Sequence, residues 1–126
     1  MNKLEYIEKL NKLNLDKKRY CIISGGIMLL YGLREATEDI DIKVKPDYFE
    51  ELKNIYDFKK SPKYDYLYEL DDETEVAVLD FSEDDIKYVD GYPVQSLESQ
   101  LAWMLEHNRP KDQEKIKTIR NYLNNI

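Results

Sequence analysis

The chain has 126 residues, 42% apolar and 36% charged, a balance that suits one soluble domain with no room for a second full core. Its formal net charge of −7 argues against an extended nucleic-acid footprint, but not against a nucleotide carried with Mg²⁺, since the metal supplies positive charge. One cysteine, Cys21, and one histidine, His107, exclude a disulfide framework and a Cys- or His-rich zinc site; with no membrane-length apolar run and no signal-peptide pattern, a reducing cytoplasm is expected.

Leu4, Ile7, Leu10 and Leu13 recur at near-helical spacing and predict an amphipathic helix over residues 2–14. After the basic turn Lys17-Lys18-Arg19, the apolar run Tyr20 to Ile23 reads as a buried strand, broken by Ser24-Gly25-Gly26. Residues 27–31 read as a short helix with Gly32 as its C-cap. Residues 38–44 alternate, with Ile40, Ile42 and Val44 on one face and Asp39, Asp41 and Lys43 on the other, as a strand with one buried face requires. Pro46, with Asp47, Glu50 and Glu51 behind it, opens a helix to about residue 56. Tyr64, Tyr66 and Tyr68 alternate within a strand predicted over 64–70, where they suit a half-exposed face or a cleft that stacks on a ring.

A second strand is predicted over 75–81, and a short one over 86–89 that ends at Asp90-Gly91. Ser96 caps a helix to about residue 106, and Pro110 starts the last one, with Ile116, Ile119 and Leu123 on one stripe. The order α-β-α-β-α-β-β-(β)-α-α predicts a mixed α+β or α/β fold: a core over residues 1–92 and a C-terminal helical pair over 93–126, in one domain.

Asp39 and Asp41 stand at i and i+2 of the predicted strand and so share a face. Two carboxylates side by side repel unless a cation lies between them, which suits Mg²⁺ or Mn²⁺ with oxygen ligands; the alternative is a solvated polar face. Ser24-Gly25-Gly26 lies between a strand and a helix, where glycine lets the backbone approach an anion and free N–H groups bind phosphate; a plain tight turn is the alternative. Asp80, at the end of its predicted strand, is either a third metal ligand and proton acceptor or a strand-end residue leading into the acidic turn 82–85.

The run Ile23-Ser24-Gly25-Gly26, then twelve residues, then Asp39-Ile40-Asp41-Ile42, resembles the signature of the polymerase-beta-like nucleotidyltransferase superfamily. Val78-Leu79-Asp80-Phe81 looks like the later strand that carries its third acid. The stretch from Gly25 through Arg34 and Thr37 to Asp41 is similar to the small lincosamide-type antibiotic nucleotidyltransferases and the AbiEii-like toxin branch. The turn Arg109-Pro110-Lys111-Asp112 also looks like that group, whereas Leu101-Ala102-Trp103-Met104-Leu105 is apolar where many relatives carry a lysine.

The resemblance implies a nucleotidyltransferase-type mixed sheet and transfer of a nucleoside monophosphate from an NTP to a hydroxyl, with release of pyrophosphate. Asp39, Asp41 and Asp80 would hold Mg²⁺ or Mn²⁺, and Asp80 would also act as base or orient the acceptor hydroxyl. Ser24, Gly25 and Gly26 would cradle the triphosphate. Arg34 would contact it, unless Arg34 pairs with Glu35 or Glu38; Thr37 would hydrogen-bond nearby. Arg109 and Lys111 are further phosphate candidates, with a solvent-facing helix start as their alternative. His107, Cys21, Trp103 and Met104 read as structural. A small-molecule acceptor is expected ahead of protein or tRNA, and a homodimer through the apolar 101–105 stretch is compatible with the short chain. The competing reading is a non-catalytic protein that keeps this fold as an antitoxin or regulatory partner.

Overall fold

The computed structural model describes residues 1–125. Helix α1, Lys3–Lys12, opens with a capping box: the Glu5 N–H donates to the Asn2 side chain, and the Asn2 N–H donates to the Glu5 carboxylate. Strand β1, Tyr20–Ile22, is buried throughout. Helix α2, Gly25–Leu30, already includes both glycines in its first turn, earlier than the sequence predicts, and ends before Gly32 at φ +75°. Strand β2, Ile40–Val44, starts after Asp39 and alternates as expected: Ile40, Ile42 and Val44 are buried, while Asp41 and Lys43 look out from the other face. Helix α3, Pro46–Leu52, is shorter than predicted, because the chain passes into turns at residues 53–55.

The next two strands are short. Strand β3, Lys59–Lys60, lies outside the sequence reading, and β4 spans only Leu67–Glu69. Tyr64 and Tyr66 therefore precede the strand, and their rings stack on each other at 5.3 Å between centroids. Tyr68 alone of the three lies in the strand, packed on Phe49 at 4.7 Å. Strand β5, Thr74–Val78, stops short of Asp80.

A 3-10 turn, Glu83–Asp85, leads into β6, Ile86–Val89, and β7, Tyr92–Gln95. Strand β7 is hidden in the sequence by Pro93, which lacks the N–H a ladder needs and marks a run against being a strand. Helix α4, Leu97–His107, is capped by Ser96, and a 3-10 turn at Pro110–Asp112 precedes α5, Gln113–Asn124.

The strands form one sheet in the order β3-β4-β5-β2-β1-β7-β6. Strand β2 pairs antiparallel with β1 and parallel with β5; β1 pairs parallel with β7. Ile22, Ile40, Ile42, Val44 and Val76 join Tyr6 and Leu10 of α1, Ile27 and Leu30 of α2, and Phe49 of α3 in one core. Asp85 ties the C-terminal pair to the sheet, accepting hydrogen bonds from Gln95 at 3.1 Å, Ser96 at 2.6 Å and Ser99. Burial alone would raise the Asp85 pKa, but these donors outweigh it and hold the carboxyl below its usual range. This is the mixed α+β architecture the sequence predicts. Among the described residues no helix is long and apolar enough to cross a membrane.

The closest packing lies under α2. A methyl group at Gly26 would collide with the Tyr6 hydroxyl and stand 2.7 Å from Ile22 Cγ2. Exchanging a helical glycine for alanine ordinarily gains about 1 kcal/mol, and overpacking costs about 1–3 kcal/mol. Gly26→Ala is therefore expected to lower unfolding free energy by up to about 2 kcal/mol, the difference between those terms. The Tyr6 hydroxyl is buried without a hydrogen-bond partner, so Tyr6→Phe alone is expected to be neutral or stabilising. Combined, the two substitutions should cost less than Gly26→Ala alone in urea unfolding. Simple additivity would show that Tyr6 is not what excludes the methyl group.

Candidate functional site

The site follows from strand direction. Antiparallel pairing matches Tyr20 with Val44 and Ile22 with Ile42, and the Ile23 N–H donates to the Asp41 carbonyl at 3.0 Å. The chain therefore leaves β1 and enters Ser24-Gly25-Gly26 beside the start of β2, where Asp39 and Asp41 lie. Parallel pairing then sets Ile40 opposite Thr74, Asp41 opposite Glu75 and Val44 opposite Val78. Residues opposite each other share a face of the sheet, so the third acid at this end is Glu75.

Asp80 does not join them. It lies two residues beyond the last residue of β5, exposed, and accepts the Phe81 N–H at 2.9 Å. At roughly 3.3 Å per residue, an extended chain carries it about 16 Å from Glu75, toward the opposite end of the sheet. The expectation that Asp80 completes the carboxylate set is corrected for this reason. The signal for Glu75 was its place at the start of the same strand. Nothing in the sequence said that β5 runs parallel to β2.

Burial raises the Asp41 pKa to about 6, with the negative charges of Glu75 and then Asp39 adding to it. Lys63 works against the rise. Its ammonium stands 3.4 Å from the Glu75 carboxylate, and Glu75 above all, then Asp41 and Asp39, hold it protonated. Among the described residues no three acid, histidine or cysteine side chains converge closely enough to enclose an ion by themselves. The donors are nevertheless all carboxylate oxygens, the chemistry of a hard divalent cation that takes its other ligands from phosphate and water.

The glycine turn faces the same end. Ser24 has φ +59° and ψ −140°, a conformation that costs a non-glycine residue about 1–3 kcal/mol. No side chain caps the first turn of α2. A methyl group at Gly25 would stand 2.5 Å from Arg34 Nη1 and 3.0 Å from Thr37 Oγ1, so both side chains close over this backbone. Thr37 is buried, and its backbone exchanges hydrogen bonds with Met1 at 2.9 and 2.6 Å. Arg34 is half-buried and makes no ion pair with Glu35 or Glu38. Ser24, Gly25, Gly26, Arg34 and Thr37 thus gather near Asp39 and Asp41.

The C-terminal candidates stay apart. Lys111 is exposed on its 3-10 turn and bonds to none of these residues. Arg109 is engaged elsewhere: it donates to the fully buried Asp112 at 2.6 Å and lies over the Trp103 ring at 4.6 Å, while His107 stacks on that ring at 3.9 Å. Beside Glu75 the surface opens into a groove of about 420 Å³, lined by Asp57, Lys59, Glu69, Asp71 and Asp72 among others.

No protein-family model matches this chain, and no curated protein sequence matches it. Among solved structures, it is similar to a candidate nucleotidyltransferase from Thermotoga maritima, at 22% identity and a TM-score of 0.64, over 100% of this chain and 97% of that one. It is also similar to ANT(2″)-Ia, solved with adenylyl-2″-tobramycin, at 16% identity and a TM-score of 0.59, over 94% of this chain and 85% of that one. At these identities the likeness establishes the fold.

The raised Asp41 pKa has a thermodynamic consequence in chelator-treated protein. A carboxyl whose folded pKa is about 6 against an ordinary value of 3.8 favours the fold fully below pH 3.8, and that contribution is lost as pH rises through 6. Asp41→Asn is therefore expected to stabilise the protein by about 1–3 kcal/mol at pH 7.5, with the gain vanishing near pH 4. Denaturant melts at both pH values check this, and a pH-independent difference would contradict the assigned cause.

Proposed function

We propose that this chain is a metal-dependent nucleotidyltransferase, moving a nucleoside monophosphate from an NTP to a hydroxyl of a small-molecule acceptor. The observation that carries the reading is Asp41 and Glu75 directly opposite on parallel strands, with Asp39 beside them and the Gly25–Arg34–Thr37 cradle at the same end of the sheet. The fold shared with a candidate nucleotidyltransferase and with ANT(2″)-Ia supports it. In this reading Asp39, Asp41 and Glu75 hold Mg²⁺ or Mn²⁺, which when bound offsets charge on the triphosphate.

The chain's own groups do the rest. Backbone N–H groups at Ser24-Gly25-Gly26 and the Arg34 guanidinium bind phosphate oxygens, and Thr37 holds Arg34 and Gly25 in place. The acceptor oxygen attacks the α-phosphorus, its bond to the β-phosphate oxygen breaks, and pyrophosphate leaves. Glu75 takes the acceptor's proton. The acidic groove beside Glu75 favours an acceptor that carries positive charge as well as hydroxyls. Lys63 leaves Glu75 when the metal–NTP complex enters, and is then free for the phosphates. Lys111, exposed and remote in its contacts, reaches the triphosphate only if the C-terminal helices close over it.

One observation favours the second reading, a fold-bearing antitoxin or regulatory partner without turnover: among the described residues the acids do not converge as a finished metal cage. Calorimetry with each NTP and pyrophosphate release with a panel of hydroxylated amines separate the two. The transferase reading expects NTP binding only with Mg²⁺ or Mn²⁺. It also expects a loss of about 10²–10⁴-fold in turnover for Glu75→Gln. Arg34→Ala should weaken NTP binding about tenfold through lost phosphate contacts. Asp80→Asn should leave turnover within about twofold, since it is remote from the other acids. No metal-dependent NTP binding, or equal losses from Asp80→Asn and Glu75→Gln, would sink it.

A further inference from the structure

The end of the sheet away from Asp41 carries a second concavity. Tyr20 pairs with Val44, the last residue of β2, and Phe81 follows the C-terminal end of β5. Between them lies a cavity of about 290 Å³, lined by Lys17, Lys18, Tyr20, Phe81 and Tyr88 among others. This is the place to which the loop after β5 takes Asp80 and Phe81, and the transfer chemistry has no use for it.

Two features mark it as built for a ligand. Tyr20 lines the cavity while only 2% exposed, and its hydroxyl makes no hydrogen bond among the described residues. The ring is held by the core while the hydroxyl borders the cavity, where it is available to whatever fills it. Charge is the second feature. Lys17, Lys18 and Lys45 form no ion pair with a carboxylate among the described residues, although the chain is acidic overall. Lys17 instead lies over the Tyr92 ring at 4.4 Å and Lys45 over the Phe81 ring at 5.2 Å. Two lysines, Lys17 and Lys18, face one acid, Glu83, on the lining. A cavity near 300 Å³ with aromatic walls is at the small end of ligand pockets.

We propose that this cavity is a second binding site, separate from the carboxylate cleft, for a small molecule that joins a planar ring to an anionic group. The ring packs against Phe81 and Tyr88, the anion lies between Lys17 and Lys18, and the Tyr20 hydroxyl donates to it. Such a site needs no metal, since lysines supply the positive charge. It stands independently of the transferase reading.

AMP is a suitable probe, because it combines both features. Two-dimensional amide NMR spectra are recorded with AMP in chelator, for the native chain and for Asp41→Asn, Tyr20→Phe and Lys17→Ala/Lys18→Ala. The expected result is saturable shifts at Lys18, Phe81 and Tyr88, unchanged in Asp41→Asn. Affinity should fall at least about tenfold in the double lysine variant, as loss of charge-assisted contacts requires. Tyr20→Phe, which removes an unpartnered oxygen and keeps the packing, should weaken AMP about threefold to tenfold. Adenosine and inorganic phosphate alone should each bind more weakly than AMP. Shifts confined to Gly25, Asp39 and Asp41, no shifts at all, or an affinity indifferent to the lysines would each overturn the proposal.

Discussion

Side chains directly opposite on neighbouring strands share one face of a sheet, and the pairing of β2 with β5 places two acids, Asp41 and Glu75, in that relation. Like charges so placed disfavour each other, and partial burial of Asp41 adds a desolvation cost. The fold tolerates this because Ile40, Ile42 and Val44 of the same strand are anchored in the core, with Val76 beside them. Apolar residues on the opposite face fix the two backbones, so the carboxylates stay neighbours. A cation is the natural relief, and the Lys63 ammonium supplies part of it.

The same strand directions determine what else reaches this end. Because β1 runs antiparallel to β2, its exit meets the entry of β2, so the glycine turn and the acids come together. Because β5 runs parallel to β2, its start meets those acids and its end goes to the other side. Glycine is needed at two points for different reasons. At Gly25 the space is taken by Arg34 and Thr37, which approach the backbone from the side of the site. At Gly26 it is taken by Tyr6 and Ile22, which approach from the core. One face of the turn is fixed by packing and the other is left for polar chemistry.

Much of this was legible in the residues. The alternation of Ile40, Ile42 and Val44 against Asp41 and Lys43 is a period-two signal that no helix could satisfy, and the strand is there. The C-terminal helices were marked by Ser96 and Pro110, residues with specific roles at helix starts. Other parts were concealed by competing local signals. Strand β7 carries Pro93, which cannot donate to a ladder, yet the hairpin with β6 and the neighbouring β1 hold it in the sheet. The alternating tyrosines looked like strand residues, but Tyr64 and Tyr66 find each other in the turn before β4. Arg109 looked free to meet a phosphate, and a buried Asp112 claims it.

The sequence by itself determined which residues are apolar at which period, where the turn can bend, and that Asp41 lies on the polar side of a strand with Asp39 just before it. These are local properties, set by chain geometry over a few residues. Only the tertiary structure decided which third acid stands with them. Glu75 and Asp80 occupy the two ends of one segment, and which end meets Asp41 is not a local property. Strand direction does, and it is set by non-local pairing across more than thirty intervening residues between Asp41 and Glu75. That choice gives Glu75 to the carboxylate cleft and leaves Asp80 beyond the far end of β5, with Phe81 beside Tyr20 and the lysines.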